Sequence, residues 1–315
     1  MAALDQVHTL KDLEGSLPRP LVKEVFDKVF ETSVIQRVAG TTPMTMNGVD
    51  FVTPTGNAVA GVVGEGQPKP VIKVGNATKT VKPIKLAAII VRSTEQRLAN
   101  PTAMLDDFQD ELARAIQRSL DLAVIYGVNA VNNQRIAGVE ALNDTTNRVT
   151  LGTTETAQGG VYGDIISGYN LVTGAGHDFS GFIADNRARG LFLGAVDANG
   201  RPIFDSNFDL SKNTGGLLGL PAAFSKNVAG GAGAVPQGNL RAIGGDFEDN
   251  LKLGYVENIT FDKTTEASIV IDGETINLWQ DNLEAYRAEA IVGWVLKDTD
   301  AFVAYETEAA EEAAA

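Results

Sequence analysis

No cysteine occurs among the 315 residues. Disulfides and thiolate metal sites are therefore excluded, and the composition fits a cytosolic chain. Histidine is scarce: only His8 and His177 are present, neither with a partner histidine, which argues against zinc. Aromatic residues make up 7 %, which points to a thin core. Positive charge is in deficit, with 26 Lys and Arg against 40 Asp and Glu, a formal net charge of -14. So acidic a chain is a poor ligand for nucleic acid, because phosphate affinity comes from Lys and Arg. Its acidity favours solubility and resists premature association. Long apolar runs are missing as well. The longest obvious one, Leu86 to Val91, is far too short for a bilayer. The stretch Met1 to Leu13 mixes Asp5, Lys11 and Asp12 with scattered apolar residues and lacks the apolar segment of a secretory signal.

Glycine is plentiful at 33 residues, and hydrophobic residues reach 44 %. That composition suits many turns and strands and a sizeable core, in one large domain or two modest ones. Leu21, Val22, Val25, Phe26, Val29 and Phe30 recur at helical spacing, predicting a helix over Pro18 to Thr32. Ser33 to Val52 reads as extended, with Asn47-Gly48 as a hairpin signal. Thr53 to Pro83, rich in Gly, Pro and Val, reads as a long flat two-stranded hairpin. Such a hairpin is marginal alone in water. It either folds back on its own body, which the residues by themselves favour, or lies on another molecule.

Thr102 to Tyr126 predicts a long helix, with Leu105, Phe108, Leu112, Ala115, Ile116, Leu120 and Ala123 as its buried stripe. Thr102 is placed to cap it and Gly127 to stop it. Beyond it, Asn129 to Gln158 reads as loop with a short strand near Arg148. Ile165 to Thr173 is a helix or a buried strand. A strand at Phe182 and a helix opening near Asp185 follow, and Gly194 to Gly219 is turn-rich. Leu220 to Val228 reads as a strand, and Ala229 to Gly238 as a flexible loop. Strands are expected at Leu240 to Ile243, Leu253 to Val256, Ile259 to Phe261, Ser268 to Ile271, Ala288 to Leu296 and Phe302 to Tyr305. The fold class is α+β.

No catalytic constellation emerges. His177 sits in a glycine-bounded turn. Gly64 to Lys69 and Gly230 to Gly233 lack the spacing of phosphate-binding loops, and both read as turns. Ser167 and Ser180 adjoin glycines but lack the nucleophile-elbow motif. Neither an enzyme, a metal nor a cofactor is expected. One charge pattern stands out. Lys69, Lys73, Lys79, Lys82 and Lys85 make the hairpin and its return strand basic, while Asp106, Asp107, Asp110, Glu111 and Asp121 make the long helix acidic. Two readings stay open. These are solvated faces with acids at the positive helix end, or the hairpin of one copy docks on the helix of another. In the second case the charges set register and encounter rate more than affinity.

The ordered set of segments resembles a known family. Leu17 to Ala39 is similar to the N-terminal region of the major capsid proteins of tailed bacteriophages, which share the Hong Kong 97-like fold. Val59 to Gly66 resembles their extended loop, Lys82 to Ser93 the return strand, and Leu112 to Gly127 the spine helix. Leu217 to Lys226 and Gly245 to Phe247 look like their central domain, and Tyr286 to Val303 like the closing strands.

The resemblance implies a self-assembling icosahedral shell of pentamers and hexamers, enclosing double-stranded DNA without sequence-specific contact and touching no membrane. It implies an N-terminal arm and helix (1–33), strands leading into the extended loop (34–52), and the extended loop itself (53–84). A peripheral domain follows (85–128, resumed at 251–296), with an axial domain (129–250) and a closing strand with acidic tail (297–315). The loop then reaches a neighbour, against the folding back that the residues alone favour. Inter-subunit contact is expected at Lys69, Lys73, Lys79 and Lys82 against Asp106, Asp107, Asp110 and Glu111. Partners implied are a portal, a separate scaffolding protein, since the arm before Leu17 is short, and a decoration protein. Assembly would occur in the host cytoplasm and the product would be the virion. The alternative is an encapsulin-type nanocompartment shell, which shares the fold.

Overall fold

Ser33 starts the first element. In the computed structural model, which describes residues 33–55, 60–67, 69, 71, 75–99, 104–155, 158–195, 214–271 and 273–308, its hydroxyl accepts the Gln36 N–H and caps helix α1 (Val34–Val38). This corrects the extended reading of Ser33 to Val52. Val34 and Ile35 are β-branched, yet the cap and their complete burial outweigh a weak propensity. The helix expected over Pro18 to Thr32 lies outside the described residues. Strands β1 (Gly40–Pro43) and β2 (Val49–Thr55) follow. Between them Asn47-Gly48 does make a tight turn, with Gly48 at φ 93° and its N–H on the Thr45 carbonyl. The flanking strands nevertheless do not pair with each other, which corrects the hairpin expectation. Met44 is buried against Gly254 and Gly293 and draws β1 into the main sheet. Strand β2 instead pairs in seven-residue antiparallel register with β3 (Gly75–Val81). The described residues of the Val-rich stretch beyond, 60–67, form no strand.

Strand β4 (Ile84–Ser93), helix α2 (Thr94–Ala99) and helix α3 (Met104–Tyr126) come next. Leu112, Ile116, Leu120 and Ala123 of α3 are buried, as the stripe requires. At 1.5 Å per residue α3 is about 35 Å long. Gly127, at φ 67°, ends it, and the Arg135 guanidinium fills the space where a side chain would stand.

Most of a second sheet follows: β5 (Arg148–Thr150), α4 (Val161–Gly174), β6 (Gly181–Ala184), α5 (Ala188–Leu193), β7 (Thr214–Leu217), β8 (Leu220–Phe224) and β9 (Leu240–Gly245). Strand β7 lies in the stretch read as turn-rich. The loop at 229–238, read as flexible, is fixed. Ala229, Gly230 and Val235 are buried, and the Ala234 N–H donates to Ala130. A Cβ on Gly233 would stand 2.1 Å from the Ala130 oxygen. Its glycines allow close approach rather than slack.

The chain then runs through α6 (Phe247–Asn250), β10 (Leu251–Thr264), β11 (Ser268–Ile271), β12 (Glu274–Asn277), β13 (Leu283–Leu296) and β14 (Phe302–Glu306). The strands expected at Leu253 and Ile259 are one, β10, interrupted by register shifts against β13. The main sheet has the order β1-β10-β13-β4, and the second sheet β5-β14-β9-β6-β8-β7. Two-stranded ribbons β2-β3 and β11-β12 complete the pairing among the described residues. α3 covers one face of the main sheet, with Leu112 and Ile116 against Tyr286, Ala288 and Ala290. Its C-terminal half enters a core shared with both sheets.

Candidate assembly surface

The β2-β3 ribbon is rooted on its own body and free at its tip. Lys79 roots it. Its Nζ donates to the Leu296 carbonyl and forms an ion pair with Glu140. The Glu140 segment is itself held, because Trp294 Nε1 donates to the Glu140 carbonyl at 2.9 Å. Across the ribbon, Thr80 Oγ1 donates to Asp50 at 2.6 Å. Further out, the described residues 60–67, 69 and 71 are all exposed. Val62 is fully exposed and Val71 is 98 % exposed. Gly66, at φ 77°, permits the turn there. A short ribbon with bare valines at its end has unpaired edges and apolar surface to bury.

The expected contact residues fall into different situations. Lys69 and Lys82 are exposed, whereas Lys79 is half-buried against its own chain. Lys73 lies outside the described residues. Lys85 pairs with Glu289 at 2.8 Å. Asp106 and Asp107 lie on the first turns of α3, their side chains outside the description. Asp110 is half-buried. Glu111 is exposed and meets Arg118 at 2.5 Å and Arg114 at 3.9 Å on its own helix. Asp121, read as part of the acidic face, is not on it, being completely buried. Leu120, Leu122, Ala123, Val124 and Ile125 are buried on every side of the helix there. That unbroken apolar run was the signal that its one acid must be interior too.

The face of the main sheet opposite α3 carries a charged ladder and an apolar cleft. Arg287 bonds Asp262 at 2.7 Å and lies 3.4 Å from Glu289. The β11-β12 ribbon folds over one end of this face, packing Ile276 and Leu278 on Leu283 and Ala285. Where ribbon meets sheet, Ile89, Ala267, Ile269 and Ala285 line a cleft of 360 Å³. At the ribbon's end Asn277 Oδ1 accepts the Trp279 N–H, and the indole is 77 % exposed. Sequence reading missed this face, because alternation along one strand does not say which side a helix covers.

The residues considered for chemistry have structural work. His177 lies 3.3 Å from Asp298. Ser180 Oγ accepts the Phe247 and Glu248 N–H groups. Buried Arg92 and Glu284 form an ion pair at 3.2 Å, with Lys263 also at 3.2 Å and the Tyr286 hydroxyl at 2.9 Å from Glu284. Among the described residues no group of three or more acids and histidines could hold a metal ion, and no helix is long and apolar enough to cross a membrane. The arrangement suits association of surfaces.

Comparison with known proteins agrees. A family model described as the phage capsid family matches residues 15–307. The probable major capsid protein gp17 of Mycobacterium phage L5 is 29 % identical over 303 residues, covering 92 % of this chain and 89 % of that protein. Among solved structures, a chain from Gordonia phage Cozz is 30 % identical with a TM-score of 0.78, covering 94 % of this chain and 93 % of that one. A chain from Mycobacterium phage Ogopogo is 26 % identical with a TM-score of 0.74, covering 95 % and 98 %.

Proposed function

The chain belongs to the phage capsid family, and from that premise we propose that its copies close into the icosahedral head of a tailed bacteriophage around double-stranded DNA. It is a major capsid protein of Hong Kong 97-like fold and a component of the virion. The observation that carries the reading is the end-to-end match, spanning residues 15–307 rather than one motif. The curated relative is itself a phage major capsid protein, which favours a phage head over an encapsulin-type compartment. The role is structural, and no turnover is proposed.

In this reading the tip of the β2-β3 ribbon lies on the neighbouring copy. Lys69 and Lys82, with Lys73, face Asp106, Asp107, Asp110 and Glu111 of that neighbour. The exposure of Lys69, Lys82 and Glu111 supports this pairing. Lys79 serves it from the root, by aiming the ribbon. Residues 85–128 and 251–296 act as the peripheral domain, and 129–250 with β14 as the axial one, in keeping with the two sheets. Pentamers and hexamers, a portal, a separate scaffolding protein and a decoration protein complete the assembly in the host cytoplasm. The net charge of -14 suits a wall that repels packed DNA.

Electron microscopy of the purified protein tests the proposal. Closed hollow shells of uniform diameter are expected. A compact monomer or small oligomer at every concentration and ionic strength would overturn it.

A further inference from the structure

Asp121 is fully buried in the C-terminal half of α3. Its carboxylate collects four donors from two other segments. Ser33 Oγ donates at 2.5 Å, the Val34 and Ile35 N–H groups lie at 3.4 and 3.5 Å, and Asn227 Nδ2 donates at 3.0 Å. Ser33 caps α1, and Asn227 belongs to the turn after β8 in the second sheet. One carboxyl thus joins the α1 segment, the long helix and the second sheet.

The ionisable groups on the surrounding elements give this carboxyl no ion-pair partner among the described residues. They are Arg37 on α1, Lys226 in the turn after β8, Tyr126 on α3, and Tyr255 on β10, whose hydroxyl accepts from Gln36. Asp144, in the adjoining turn, is held by Arg135. On β4 and β13, Lys85 pairs with Glu289 and Arg92 with Glu284. Among the described residues none forms an ion pair with Asp121.

We propose that Asp121 is a protonation-controlled clasp, which tightens the joint between the α1 segment, α3 and the second sheet as it takes up a proton. Burial strips the carboxylate of water, and four neutral donors do not fully replace it. Its pKa is accordingly raised from 3.8 to about 6, chiefly by desolvation, with the bonds from Ser33, Asn227 and the two N–H groups opposing. The closed joint therefore binds a proton that the opened, hydrated one releases. The stabilisation is full below the ordinary carboxylate range and is lost as pH rises through about 6. The inference is independent of the shell reading.

Hydrogen exchange followed by mass spectrometry, corrected for intrinsic rates, tests it on the purified protein. In the wild type, protection of the 33–38 peptide should rise about 30-fold between about pH 7.5 and about pH 4.5. The rise should begin as pH falls below about 6. Asp121→Asn, neutral throughout, should show a flat profile. A wild-type profile that is flat, or a change shared equally by Asp121→Asn, overturns the proposal. Should that variant fail to fold, Ser33→Ala supplies the second arm. It removes a donor that favours the ionised form, so the rise should begin at higher pH. An onset that stays put or moves lower also overturns the proposal.

Discussion

At the residue scale, the Met44 side chain packs closely against two glycines of the main sheet. A Cβ on Gly254 would lie 2.8 Å, and one on Gly293 2.7 Å, from Met44 atoms. Gly293→Ala should lower stability by about 1–3 kcal/mol, read as a shift in the urea midpoint, because the core must move to accept it. Adding Met44→Ala should return part of that loss, since the two changes share one space. Arg92 and Glu284 behave differently. Glu284→Ala should cost about 3–5 kcal/mol by removing the buried carboxylate that Arg92, Lys263 and the Tyr286 hydroxyl share. The pairing of Arg92 with Glu284 was illegible in the sequence, because 192 positions separate them. Asp121 was legible in principle from its apolar neighbours, but counting charge along α3 placed it with the surface acids.

At the element scale, what was legible followed from local rules. The apolar stripe gave α3, and the need for positive φ gave its stop at Gly127. Strands β9 and β14 and the later part of β13 followed from the apolar pattern, whereas β4 came from the family resemblance. What failed depended on distant partners. The α1 segment looks extended until Ser33 and the core are considered. The turn at Asn47-Gly48 was found, but the ribbon that follows pairs across 19 intervening residues, not across that turn. Of the charged surfaces, the ribbon's basic character and the exposure of Glu111 came through, while the rooting by Lys79 did not. This shapes the test of the docking reading. Reversing Lys69 and Lys82 to Glu, with Lys79 kept, should cut the yield of shells seen by sedimentation at least about tenfold. The subunit's far-ultraviolet circular dichroism should stay unchanged. Adding Glu111→Lys should restore part of the yield. Equal yields from wild type and reversed protein would leave the two faces as ordinary solvated surfaces.

At the scale of the whole molecule, the ribbon tip proposed to associate lies apart from the cores that carry folding. The described tip residues contribute nothing to the cores, whose members come from the sheets and helices. Deleting residues 60–71 and closing the gap with a short Gly-rich turn should leave the melting temperature within a few degrees, as measured by calorimetry, because closing a loop of modest length changes little. The same variant should stay as dispersed subunits under the conditions that give wild-type shells. Fold class and element order were readable from the sequence at this scale, because they rest on patterns that recur along the chain. The covering of one sheet face by the β11-β12 ribbon was not, because it depends on how two distant segments meet.

The order of strands has a consequence for synthesis. In the main sheet β13 lies between β10 and β4, and in the second sheet β14 lies between β5 and β9. Both are inner strands, and both come from residues 283–306, later in the chain than every other strand of their sheets. A nascent chain that has already exposed its ribbon to the ribosome's surroundings still lacks the middle of each layer. Neighbouring polysome-borne chains therefore have no finished bodies on which to engage. Completion of both sheets should therefore wait on residues 283–306, and multimerisation with it.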